Sequence, residues 1–82
     1  MERTDFRARA EECRARADES SLQVARFLAE REQLRVLLGR DRRAAARRQV
    51  VDESIAWHRE MSAKWNRLAE VYEGKVRRGA TA

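Results

Sequence analysis

The sequence predicts an all-α protein, an antiparallel two-helix hairpin. Two observations predict it. The 82-residue chain has no proline, and its three glycines stand at Gly39, Gly74 and Gly79. Proline and glycine are the residues a helix interior tolerates least, so residues 1–38 and 40–73 are free to be helical. Within each stretch, apolar and small residues recur in alternating steps of three and four, the repeat of helices packed at a shallow angle.

Helix one is expected over residues 5–38. Thr4 and Asp5 are good N-cap residues. The series Phe6, Ala10, Cys13, Ala17, Ser20, Val24, Phe27, Arg31, Leu34 and Leu38 then marks one seam. Gly39 stands where a terminating glycine belongs. Ser20-Ser21-Leu22-Gln23 fits a capping box, so a break near residues 18–21 would give three helices. The unbroken repeat through Ser20 favours one continuous helix. Asp5–Arg9, Glu12–Arg16 and Glu60–Lys64 are spaced as intrahelical ion pairs.

Helix two is expected over residues 41–73, capped by Asp41. Its seam is read as Ala44, Val51, Ile55, His58, Met61, Trp65, Leu68 and Tyr72. Gly74 is expected to end it, leaving residues 74–82 as a basic, disordered tail. Folding about Gly39-Arg40 places Phe6 opposite Tyr72, Ala17 opposite Met61, Ser20 opposite His58 and Phe27 opposite Val51. Small residues thereby face large ones in most layers, as interdigitated packing requires.

A chain of this length makes one domain, residues 1–82, with a core contributing only about 3–5 kcal/mol of net stability. One cysteine excludes an internal disulfide. No apolar run approaches the roughly 20 residues that span a bilayer, and nothing resembles a secretory signal. The expectation is a cytoplasmic protein without membrane contact. The formal net charge is +5, with 19 Lys and Arg against 14 Asp and Glu; all but two of the basic residues are Arg. That excess reflects GC-rich codon usage as readily as oxyanion recognition by guanidinium groups.

Catalysis needs a positioned base, nucleophile or metal, and the chain offers one His and one Cys on different layers. His58 with Met61 one turn on is thin material for a haem or metal ligand pair. A seam histidine bonded to Ser20 or to water accounts for it more simply. No cofactor and no metal are expected, and the chain reads as non-enzymatic.

Two surfaces suit partners. The hairpin tip, residues 40–48, holds Arg40, Arg42, Arg43, Arg47 and Arg48 against one Asp. Arg31 falls opposite Arg47 in the seam, a breach of the core pattern that often marks function. These six arginines are the candidate anion or nucleic-acid site. Pairing with Glu30 or Glu32 is the competing explanation. The other surface is apolar. Leu22, Ala25, Ala29 and Val36 line the far side of helix one. Val50, Trp57 and Val71 recur at sevens off the seam of helix two, interrupted by Lys64. One internal seam cannot cover both stripes, and exposed apolar stripes mark interfaces. A homodimer completing a helical bundle would cover them, with Trp57 as anchor.

The segment Phe6-Arg7-Ala8-Arg9-Ala10-Glu11-Glu12-Cys13-Arg14-Ala15-Arg16-Ala17, with Trp65-Asn66-Arg67-Leu68-Ala69, resembles small helical proteins of alpha-proteobacteria. These carry an aromatic-R-x-R-A-E-E-C-R-x-x-A pattern and a W-x-R-L-A ending. The resemblance implies a bacterial helical hairpin and no activity. Phage-encoded inhibitors of host complexes, which act by binding alone, also fall in this size class. The functional expectation is a small binding protein that self-associates and presents its basic tip to a protein or anionic partner. A nucleic-acid-binding protein is the alternative.

Overall fold

The computed structural model describes residues 5–37 and 41–81. They form two helices, α1 over Phe6–Leu37 and α2 over Arg42–Thr81, packed along their length as an antiparallel hairpin. The direction is read from the cross-helix pairs. Phe6 at the start of α1 stacks on Tyr72 late in α2, with ring centroids 6.0 Å apart. Glu30 near the end of α1 pairs with Arg47 at the start of α2.

Both helices start as their caps dictate. The Asp5 carboxylate accepts from the Ala8 amide at 3.0 Å, and the Asp41 carboxylate accepts from the Arg43 amide at 2.9 Å. Each satisfies one of the orphan amides of a first turn. Used as a cap, Asp5 forms no ion pair with Arg9; Glu12–Arg16 and Glu60–Lys64 do form. Helix α1 runs unbroken through Ser20 and Ser21, so the capping-box signal there is overridden by the continuous seam. Leu38, Gly39 and Arg40 lie outside the described residues, and with them the expected turn.

The end of α2 departs from expectation. The helix passes through Gly74 and Gly79 to Thr81, where a stop and a disordered tail were expected. A glycine costs a helix interior only about 1 kcal/mol relative to alanine. Contacts with α1 on either side of Gly74 offset it. Arg14 binds Glu73 at 2.6 Å, and Lys75 lies 5.3 Å from the Phe6 ring centroid.

The seam of α2 also differs from its sequence reading. Ala44, Val51 and Ile55 are buried as expected. Beyond His58 the buried line moves one residue over at two positions, those read as Met61 and Leu68. Leu68 is 38% exposed and Ala69 is 0% exposed. Ser62, in place of Met61, reaches α1: its hydroxyl donates to the Ala17 carbonyl at 3.2 Å and shares a 3.0 Å bond with the Ser21 hydroxyl. The working seam is therefore Ala44, Val51, Ile55, His58, Ser62, Trp65, Ala69, Tyr72, a stricter alternation of threes and fours than one picked by hydrophobicity. Small residues win because the helices are close. Ala10, Cys13 and Ala17 are the buried residues of α1, and a Met or Leu facing them has no room.

The core is thin. Val51 is the largest side chain described as fully buried, and the molecule measures 64 × 22 × 13 Å. That thickness is a single layer of helices, whereas stable domains stack two layers or more around a core.

Candidate functional site

The arginines of the tip divide into two groups. Arg47 makes a two-pronged pair with Glu30, its second bond 2.9 Å long. The hydrogen bond from Arg47 holds the Glu30 carboxyl below its ordinary value, and the charge of Arg47 adds to it. The contribution of this pair is thus present at neutral pH and is lost as pH falls through the lowered carboxylate range. At the solvent boundary it is small. Asp52 collects two more cations, Arg31 at 3.5 Å and Arg48 at 3.1 Å. Arg31 and Arg47 therefore do not form a joint anion site at facing seam positions. Each leans outward to a carboxylate on the opposite helix. Arg42 and Arg43 are exposed, and among the described residues they make no ion pair.

A groove of about 550 Å³ lies between the first turns of α1 and the last turns of α2. Arg7, Arg14 and Arg77 line it, but so do Glu11, Asp18 and Glu73, and Arg14 is held by Asn66 at 2.8 Å and by Glu73. Mixed charge with a committed guanidinium makes it no anion pocket.

His58 sits where the inner seam meets the outer face. It stacks on Phe27 with centroids 5.8 Å apart and meets the Trp57 ring edge-on at 4.8 Å. Both side chains slant toward the start of their own helices, so His58 reaches Phe27 and makes no bond to Ser20. Its Nδ1 is buried without a hydrogen-bond partner. Among the described residues no group of three His, Cys, Asp or Glu side chains is placed to hold a metal ion. An unpaired buried polar atom costs about 1–3 kcal/mol, and a phenyl ring would keep the stacking. His58→Phe is therefore expected to stabilise the fold by about 1 kcal/mol, seen as a higher urea midpoint with unchanged slope.

The apolar stripes are exposed. Leu22 and Val36 on α1, and Val50, Trp57 and Val71 on α2, are all close to half exposed or more, Trp57 at 57%. Ala25 and Ala29 are exposed with them. The structure adds what the sequence reading assigned elsewhere. Leu68, and the half-buried Met61, belong with Val50, Trp57 and Val71 on one face of α2. The exposed indole is braced from behind by His58, and the neighbouring Trp65 ring is capped by the Arg16 guanidinium at 5.1 Å. No helix among the described residues is long and apolar enough to cross a membrane. No family model, curated protein or solved structure matches the chain.

Proposed function

We propose that this chain is a non-catalytic helical binding protein that self-associates and then engages a further protein partner. The observation that carries the reading is the exposed apolar face of α2 around Trp57, on a molecule one helix-layer thick. Residues of that size are left in water by a monomer, and large apolar patches on soluble chains are sites of association. The basic tip supports a partner with acidic groups more than a nucleic acid. Three of its six candidate arginines, Arg31, Arg47 and Arg48, are ion-paired with Glu30 and Asp52, which cancel two of the three charges. Arg42 and Arg43 remain, with Arg40 outside the described residues.

Titration of labelled duplex DNA at several salt concentrations tests the two readings. Two or three phosphate contacts would produce a slope of about −2 to −3 in log K against log salt, removed by Arg42→Ala with Arg43→Ala. The binding-protein reading expects no salt-dependent binding of this kind. Sedimentation equilibrium at micromolar concentration should instead find the chain self-associated. A well-folded monomer throughout would end the self-association part of the reading.

A further inference from the structure

Helix α2 carries a second heptad seam. Val50, Trp57, Met61, Leu68 and Val71, with Ser54 and Lys64 between them, repeat in the same alternation of fours and threes as the inner seam. Each position stands one residue before an inner-seam position, which turns it about 100° around the helix. A helix with two seams at nearly a right angle is a corner helix of a four-helix bundle, with one neighbour on each seam. Helix α1 fills the first. The same side of α1 is built of alternating charge, Arg9, Glu12, Arg16 and Glu19, all exposed, and offers no matching apolar line.

We infer that the second seam is filled by α2 of a second copy of this chain, packed antiparallel about a two-fold axis that passes close to Met61. This rests on the self-association proposed above and specifies its geometry. Three observations select it. The seam is nearly symmetric about Met61, with Val50 and Val71 at its two ends, so reversal lays Val50 on Val71 of the second copy and Ser54 beside Leu68. The same reversal brings Lys64, the one charge inside the apolar line, over the Trp57 indole of the second copy, where a cation on an aromatic face is favourable. The flanking charges agree on balance. Glu53 lies before Met61 and Arg67 after it on the outer edge of the seam, and among the described residues Arg67 makes no ion pair. The antiparallel arrangement sets Arg67 beside Glu53 of the second copy, twice by symmetry. On the outer edge of the seam Glu60 meets Glu60 of the second copy near the axis, and the two opposite-charge pairs outnumber that one contact.

The seam from Val50 to Val71 runs about 30 Å along α2 at about 1.5 Å per residue. A two-fold contact between identical patches also closes on itself and produces no chains of molecules.

Cysteine cross-linking in a Cys13→Ala background tests the inference. Met61→Cys should form a disulfide-linked dimer with itself under mild oxidation, because positions at the axis bring Cα atoms within about 7 Å. Val50→Cys should not link to itself, but should link to Val71→Cys when the two proteins are mixed. In the otherwise unchanged chain, Trp57→Glu should raise the dimer dissociation constant at least about tenfold with the helical circular dichroism retained. Self-linking of Val50→Cys, or a dimer unaffected by Trp57→Glu, would overturn this geometry and leave self-association standing. A wild-type monomer with no cross-link at Met61→Cys would overturn both.

Discussion

Val51→Asp is expected to abolish the fold at neutral pH. Val51 is 0% exposed and is the largest fully buried side chain described, so it is the bulkiest hidden piece of what core there is. Burying an unpaired carboxylate there costs several kcal/mol, and about 1.5–3 kcal/mol of apolar burial is lost with the valine. The whole core of so short a chain contributes only about 3–5 kcal/mol net. The losses exceed the reserve. Circular dichroism should show the helical minima largely gone. Val51→Ala, which removes two methyl groups and adds no charge, should keep them with a urea midpoint lowered by about 1–2 kcal/mol equivalents. A Val51→Asp protein with wild-type helicity and midpoint would mean that α1 and α2 do not pack through this position.

Ala69→Glu is expected to be nearly as damaging, and Leu68→Ala to be mild. The pair sits one residue apart on α2, and hydrophobicity ranks them the other way round. Ala69 is fully buried against α1, and a glutamate there must either bury its charge or push the helices apart, at a cost of about 3 kcal/mol or more. Leu68 is partly exposed on the outer face, so truncating it to alanine should cost about 1 kcal/mol or less in stability. Urea unfolding of the two variants, monitored by tryptophan fluorescence, checks the ranking. A large loss for Leu68→Ala with a mild effect of Ala69→Glu would restore the seam as read from hydrophobicity and would remove Leu68 from the outer seam.

The placement of Leu68 and Ala69 also locates the boundary between what is legible in the chain and what is not. The alternation of threes and fours was legible, as were the caps at Asp5 and Asp41 and the approximate register that stacks Phe6 on Tyr72. These follow from backbone propensity and from the period of a helix, which are local. Met61 and Leu68 were placed on the inner seam because they are the larger apolar residues. The close approach of the two helices at Ala10, Cys13 and Ala17 puts Ser62 and Ala69, not Met61 and Leu68, against α1. The same one-residue correction assigns Met61 and Leu68 to the outer face, where they complete the line begun by Val50, Trp57 and Val71.

The candidate arginines divide along the same boundary. Their clustering at the tip is a property of the sequence. Their charge state toward a partner is not, because Glu30, which neutralises Arg47, lies on the other helix, and so does Arg31, which shares Asp52 with Arg48. Likewise Gly74 reads as a helix stop in sequence, yet the helix continues. Arg14 and Phe6, far away along the chain, hold the residues around it. By itself the sequence determined that this protein is two long helices joined near the middle, because the absence of proline and the placing of glycine act locally on the backbone. Only the tertiary structure decided which side chains those helices hide, which charges they cancel and which apolar face they leave for a partner. Those outcomes depend on how closely the helices approach, a distance set jointly by residues as far apart in the chain as Phe6 and Lys75.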